Sequence, residues 1–161
     1  MPKKIRRQKP KEERKPKQHE LTLKTPQERH MHLVQLATQS EKVILETQRL
    51  HPKLDAATRI IEQRVRSRLP VSKDHALGWL KQKKEFLQNS IKYWLIEHEI
   101  VETGFHTEEE KVQLKSHIES AIQRRQQYLK LVESAKQRIN KGENPNIVLF
   151  DMQAELDSSR N

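Results

Sequence analysis

The chain of 161 residues contains no cysteine, only three glycines and few aromatic side chains. Without cysteine it has neither disulfides nor thiolate metal ligands. Three glycines are too few for a P-loop or a dinucleotide-binding fold, because both need glycine where the backbone approaches phosphate. No run approaches about 18 apolar residues, so the sequence predicts no transmembrane helix. The first residues lead into no apolar stretch, so we expect no secretory signal.

No group of residues typical of catalysis or of a metal site stands out. His98 and Glu102 have the spacing of a zincin helix, but Glu102 replaces the second histidine, which leaves at most half a site. His30 and His32 lie two residues apart, so they face different sides of a helix. We therefore predict a protein that is not an enzyme, with no metal, no cofactor and no small-molecule substrate.

Positive charge is abundant, and it is unevenly distributed. The formal net charge is +10. Residues 1–24, called the basic tail below, hold ten basic and three acidic side chains, a balance of +7. The remaining residues hold 22 basic and 19 acidic side chains, a balance of +3. The tail also contains three prolines and hardly any apolar residue, which predicts that it is disordered when free.

A flexible polycation favours phosphate contacts, because each neutralised phosphate releases counterions. The tail lacks aromatic side chains, so base stacking is not expected and binding should tolerate any sequence. Two alternatives stay open: a localisation signal, including a nuclear-import or anionic-lipid patch, and a tail that only solubilises the protein. The candidate nucleic-acid contacts in the tail are Lys3, Lys4, Arg6, Arg7, Lys9, Lys11, Arg14, Lys15 and Lys17.

Start and stop signals divide the helical domain, residues 25–161, into five predicted helices. The residue before a proline disfavours helix, so His51-Pro52 predicts a break. Gly104 fits the left-handed position after a helix, and the short connection that follows predicts an antiparallel helical hairpin. The expected fold is an all-α, elongated bundle built on this hairpin. The predicted helices are about 26–50, 54–68, 73–102, 108–140 and 145–157.

The apolar side chains of the helix predicted over 73–102 cover an arc of roughly 200° at 100° per residue. Such a wide arc needs neighbours on more than one side, so we expect this helix to be central. Both tryptophans lie on it and are expected in the core. Lys83 and Lys84 interrupt the arc, which indicates a rim or a surface left open for a partner.

Four arginines predicted on the helices extend the candidate nucleic-acid interface beyond the basic tail. They are Arg64, Arg68, Arg124 and Arg125. Arg64 and Arg68 have a second interpretation, in which their stems lie along the apolar seam and their heads stay in water. Arg125 falls inside an apolar stripe, so it must reach water, a carboxylate or a partner's phosphate.

The last predicted helix is short and amphipathic, so it either packs back on the hairpin or docks in a partner's groove. Its candidate partner contacts are Ile147, Val148, Phe150 and Met152.

The sequence predicts a non-catalytic accessory protein that binds DNA or RNA backbones with little sequence preference. The alternative is a helical protein-interaction adaptor or scaffold subunit, which binds a protein partner or a second copy of itself and whose tail only localises or solubilises it. A membrane-surface role is a third hypothesis, but no apolar insertion face accompanies the charge. We expect a cytoplasmic protein, associated with the nucleoid in a bacterium or with the nucleus in a eukaryote.

Overall fold

The computed structural model describes residues 25–160, and these residues form four α-helices without a β-strand. The helices are α1 (Pro26–Arg66), α2 (Lys73–Thr103), α3 (Glu108–Asn140) and α4 (Pro145–Ser159). The predicted all-α class is confirmed. The basic tail and its predicted disorder lie outside the described residues. Within the described part of the chain, no helix has the length and apolar character needed to cross a bilayer.

Each helix begins after a residue whose side chain accepts a hydrogen bond from a backbone N–H of the first turn. These bonds satisfy donors that have no partner within the helix. At α3 the bond is reciprocal, because the Glu110 carboxylate also accepts from the Thr107 N–H at 3.0 Å. Local sequence therefore decides where the helices start. The capping residues are Thr25, Ser72, Thr107 and Asn144.

α1 runs without interruption through Pro52, so the predicted break at His51-Pro52 is wrong. A proline inside a helix removes one backbone hydrogen bond and costs about 3 kcal/mol. Contacts with α2 hold α1 on both sides of this point. The His51 ring lies 5.9 Å from the Phe86 ring, and Trp79 Nε1 donates a 2.9 Å hydrogen bond to Thr58 Oγ1. Tertiary packing therefore overrides the local signal.

α2 lies between α1 and α3, which do not approach each other closely. Side-chain pairs between α2 and α3 show that the two helices are antiparallel. The sequence number rises along α2 as it falls along α3, from Lys84–Glu133 to Ser90–Arg125 and on to Glu102–Lys115. The predicted antiparallel hairpin is confirmed, with α2 as the central helix.

The core consists of two clusters of unequal size. The larger lies where α4 folds back over one end of the three long helices, and it includes the fully buried Leu80, Val132 and Val148. The smaller lies between α1 and α2 and contains Leu36, Val43 and Ile96. α4 has 15 residues against 31 in α2, so it covers only about half of the bundle's length.

α1 and α3 end in the same backbone motif with different residues in the left-handed position. Arg68 has a φ of 54° and Gly142 a φ of 97°. In both places the next amide bonds to the carbonyl five residues earlier, and the left-handed residue's amide bonds to the carbonyl three residues earlier. Glycine adopts this conformation freely, whereas arginine is strained in it.

The connection between α1 and α2 is held to the start of α4 by one side chain. Asn146 Nδ2 donates to the Leu69 carbonyl at 2.7 Å, and its Oδ1 accepts from the Val71 N–H at 2.8 Å. The two interhelical connections at this end of the bundle therefore support each other.

Gly104, at the hairpin turn, has an extended backbone with a φ of −69°, so the predicted left-handed conformation is wrong. Glycine is needed at this position because neighbouring atoms leave no room for a Cβ. A Cβ atom here would lie 2.9 Å from the Ile100 carbonyl oxygen and 3.2 Å from the His106 ring.

We predict that Pro52→Ala stabilises the protein by about 1–3 kcal/mol, because it restores the missing helical hydrogen bond. Urea unfolding followed by circular dichroism measures the change. Pro26→Ala is the control, since its N–H at the first helical position would have no acceptor within α1, and a change under about 0.5 kcal/mol is expected. Equal effects at both positions would contradict this explanation.

We predict that Arg68→Gly stabilises the protein by up to about 1 kcal/mol, because relief of the left-handed strain exceeds the entropy that glycine adds to the unfolded chain. Gly142→Ala should cost about 1 kcal/mol for the opposite reason, since a Cβ there meets open space and only the backbone is strained. Gln63→Gly, at an exposed helical position of α1, controls for a general glycine effect and should destabilise. A loss of stability in Arg68→Gly would contradict the explanation that Arg68 is strained in the left-handed conformation.

Candidate nucleic-acid interface

The predicted contacts fall into three groups in the structure. The nine contacts of the basic tail lie outside the described residues. Arg64 lies in the last turn of α1 and its Nη1 donates a 3.2 Å hydrogen bond to the Pro70 carbonyl, while Arg68 lies in the connection that follows α1. Arg124 and Arg125 lie near the middle of α3.

The two arginine pairs are far apart along the bundle. Arg68 lies in the connection just before α2 begins at Lys73, whereas Arg125 is bonded to Ser90. The 17 residues from Lys73 to Ser90 span about 25 Å of helix. The structure therefore does not bring the four predicted arginines into one cluster.

The basic tail joins the bundle at the hairpin turn, opposite the end that carries Arg68. The Arg29 guanidinium, in the first turn of α1, lies 4.9 Å from the centroid of the Phe105 ring. Nearby, His32 Nε2 is 3.0 Å from Glu99 Oε1. A 24-residue segment has a maximum length of about 80 Å, which exceeds the roughly 46 Å of α2.

Acidic residues at the hairpin turn are partly neutralised by their neighbours. Lys115 donates a hydrogen bond to Glu102 and lowers the pKa of that carboxyl group. Lys111 Nζ lies 3.7 Å from Glu108 Oε1. Residues 25–160 contain no group of three or more histidine or acidic side chains arranged to hold a metal ion.

Arg125 is half-buried and is held by uncharged groups. Its Nε donates a 2.5 Å hydrogen bond to Ser90 Oγ, and its Nη1 donates a 3.0 Å bond to the Ala121 carbonyl. The guanidinium carbon lies 5.4 Å from the centroid of the Trp94 ring. No carboxylate among residues 25–160 lies within 4.0 Å of it. Burial lowers the pKa of Arg125, and the charge of Arg124 adds to this effect.

Lys83 is a second half-buried cation without a close carboxylate among the described side chains. Its Nζ lies 4.8 Å from the centroid of the Tyr128 ring and 5.9 Å from that of Phe86. Burial lowers the pKa of Lys83, and the more distant Glu62 partly opposes the shift. The neighbouring Lys84 differs, because it is paired with a carboxylate on α3 at 2.5 Å.

Two grooves adjoin at Tyr128 and Arg160, which line both of them. The first groove runs between α1 and α4 and is also lined by Lys83 and by the predicted contact Arg68. The second runs between α3 and the end of α4 and is also lined by Arg124 and Arg125. Tyr128 and Arg160 therefore connect a groove lined by Lys83 with a groove lined by Arg124 and Arg125. We call this group of five residues the Tyr128 cluster.

Sequence reasoning found only part of this cluster. The two α3 arginines were predicted contacts, and Lys83 was recognised as an interruption of the apolar arc. Arg160 was missed, because a polar C-terminal segment predicts only a frayed end. No sequence signal places it beside Tyr128, since the two residues belong to helices that meet only after folding.

The predicted partner contacts of α4 divide into two pairs. Val148 and Met152 are 0% and 4% exposed and belong to the larger core, so they are not available to a partner in this fold. This corrects the prediction for these two residues and shows that α4 packs back on the bundle. Ile147 and Phe150 are 57% and 63% exposed, and their role in partner binding stays a prediction.

No family model matches the chain, and no curated protein or solved structure matches it either.

We predict that Tyr128 destabilises the fold as it ionises. Burial raises the pKa of Tyr128 to about 12, with Arg160 partly opposing the shift. An unfolded phenol has a pKa of about 10, so the folded state loses stability as pH rises from about 10 to about 12. The loss of stability over this pH range should be smaller in Tyr128→Phe. Urea unfolding at stepped pH measures the free energy of unfolding.

The control is Tyr93→Phe, which removes the only other tyrosine. Burial also raises the pKa of Tyr93, but this residue is less enclosed, so its replacement should have the smaller effect. An alkaline loss that is the same in Tyr128→Phe as in the unmodified protein would contradict the prediction.

Proposed function

We propose that the protein is a non-catalytic accessory factor that binds nucleic-acid backbones with little sequence preference. The observation that carries this proposal is the separation of charge. A segment of 24 residues has a balance of +7, and it is attached to a helical body whose charges nearly cancel. Counterion release from phosphates favours binding by such a segment.

The helical body supplies additional positive charge at a defined place. Arg124 is exposed, and Arg125 has no carboxylate partner among the described residues, so neither charge is cancelled by a close ion pair. Arg64 and Arg68 lie about 25 Å further along the bundle and form a separate, secondary contact. In this proposal the tail provides most of the affinity, and the helical body limits where the nucleic-acid backbone lies on the protein.

Contacts of this kind hold phosphates and do not distinguish bases. Specific base recognition needs side chains in register with base edges or aromatic rings that stack on bases. The tail contains no aromatic residue. The proposal therefore includes both DNA and RNA.

A protein-interaction adaptor is the second candidate function. The observation that favours it is the exposure of Ile147 and Phe150, two large apolar side chains on the outer surface of α4. An exposed apolar patch is typical of a surface that binds another protein. In this alternative, Phe150→Ser removes binding to a protein partner, and deletion of the tail leaves it unchanged.

We predict that nucleic-acid affinity falls steeply with salt and that deletion of residues 1–24 removes most of that dependence. On duplex DNA, the logarithm of the binding constant should change by about −0.9 per phosphate contact for each unit of log salt. Fluorescence anisotropy with labelled single- and double-stranded oligonucleotides, at stepped salt concentrations, measures both quantities.

Two controls separate charge from chain length. A full-length variant with the nine tail contacts replaced by glutamine should behave like the deletion. Arg59→Gln should leave the salt dependence unchanged, because Arg59 is already paired with Asp55 at 3.0 Å. The proposal fails if the full chain does not bind at low salt, or if its salt dependence survives loss of the tail charge.

A further inference from the structure

We propose that the first groove is a docking site for an amphipathic helix of a partner protein, one whose apolar side chains enter the groove and whose polar face is acidic. The groove lies between α1 and α4 and begins at the end of the bundle opposite the hairpin turn. This inference rests on the second candidate function, protein interaction, and adds a surface and a partner of defined chemistry. It does not depend on nucleic-acid binding.

The groove exists because α4 lies asymmetrically on the bundle. α4 packs mainly against α3, where Arg138 Nη2 donates a 3.0 Å hydrogen bond to Asp151 Oδ2, and it approaches α1 much less closely. The space left between α1 and α4 has a volume of about 1460 Å³. It runs along α4, whose 15 residues span about 22 Å, so a helix of about four turns matches its length.

The groove has an apolar floor and an apolar edge. Trp79 of α2 and Leu149 of α4 line it and are 6% and 4% exposed, so they form part of the floor. Ile147 and Phe150 also line it, and their side chains are 57% and 63% exposed. Exposed apolar side chains beside a groove favour a partner helix, because its apolar anchors remove them from water.

The charged residues that line the groove favour an acidic partner. Five of them are basic and three are acidic. None of the five cations belongs to an ion pair among residues 25–160, whereas Glu143 is already paired with Arg138. The charge left for a partner is therefore positive, and an acidic helix face complements it. The cations are Arg66, Arg68, Lys73, Lys83 and Arg160, and the acids are Glu62, Glu143 and Asp157.

Lys83 is the position at which we expect a carboxylate of the partner to bind. Its side chain is half-buried, and its Nζ lies 4.8 Å from the centroid of the Tyr128 ring. Glu62 and Asp157 line the same groove, but neither lies within 4.0 Å of Lys83 Nζ. A partner's carboxylate beside Lys83 therefore supplies the close counterion that the described part of the chain lacks there.

A helix fits this lining better than a nucleic-acid backbone does. Phosphates complement the cations, but a backbone has no apolar side chains to cover Ile147 and Phe150. An amphipathic helix with acidic residues complements both the apolar edge and the charge.

The test uses the isotopically labelled full chain and a designed acidic peptide of about 16 residues, with leucine along one helical face and glutamate on the other. Nuclear magnetic resonance follows the Trp79 indole N–H, which donates to Thr58 Oγ1 in the lining of the groove. We expect a saturable shift of this signal and little change at Trp94, which does not line the groove. Absence of the Trp79 shift overturns the helix site. The protein-interaction function has a separate test, because Ile147 and Phe150 remain open to a partner of another shape.

The variant that tests the apolar edge is Ile147→Ser/Phe150→Ser, and its expected affinity for the acidic peptide is lower by about tenfold or more. Leu95→Ser/Val112→Ser is the matched control, because it removes two apolar side chains that are 55% and 67% exposed and lie outside the groove. The control should bind as the unmodified protein does. Equal weakening in both variants overturns the proposal, since it would indicate general apolar association.

The acidic face is tested with a second peptide, in which lysine replaces every glutamate. We expect it to bind more weakly by about tenfold or more. The basic tail also attracts the acidic peptide, so the titration is repeated with the full-length variant whose nine tail contacts are glutamine. The Trp79 shift should persist in that variant. Equal affinity for the two peptides, or loss of the Trp79 shift without the tail charge, overturns the proposal.

A single-stranded oligonucleotide separates this inference from the nucleic-acid function. It should bind the Ile147→Ser/Phe150→Ser variant and the unmodified protein equally, and it should leave the Trp79 signal unchanged. A saturable Trp79 shift with the oligonucleotide overturns the groove as a protein site and leaves the nucleic-acid function standing. Peptide binding at Trp79 without any oligonucleotide binding supports the helix site and overturns the nucleic-acid function.

Discussion

The burial of α2 between α1 and α3 is the constraint on which the rest of the structure depends. Its apolar side chains cover too wide an arc for one neighbour, so α1 packs on one side and α3 on the other. Because α1 and α3 do not contact each other, part of the surface of α2 between them is left uncovered. α4 covers one end of this opening, and its 15 residues are too few to cover the rest.

This incomplete cover explains the electrostatics of the body. Where α4 packs, apolar side chains of all four helices form the larger core. At the end of α4 the cover stops, and Lys83 and Arg125 lie partly enclosed by neighbouring rings and helices, whereas Arg124 and Arg160 are exposed. Lys83 and Arg125 are accommodated there by aromatic faces, a hydroxyl and a carbonyl instead of carboxylates. Half-burial of an unpaired cation is costly in a folded protein.

The same architecture separates the positively charged groups along one axis. The basic tail joins at the hairpin turn, the Tyr128 cluster lies part-way along the bundle, and Arg64 and Arg68 lie at the far end. The exposed Ile147 and Phe150 also lie at the end of the bundle opposite the hairpin turn.

The sequence by itself determined the helical class, the starts of the four helices and the separation of charge, because capping acts within a few residues and charge is read directly from composition. It predicted a break at Pro52 that packing against α2 overrides, and it offered Val148 as a partner contact although Val148 is core. It placed Arg125 inside an apolar stripe but did not show that Ser90 and the Ala121 carbonyl accept its hydrogen bonds. Only the tertiary structure decided which faces are covered and which cations meet, because burial and pairing depend on helices that are distant in sequence and adjacent in the fold.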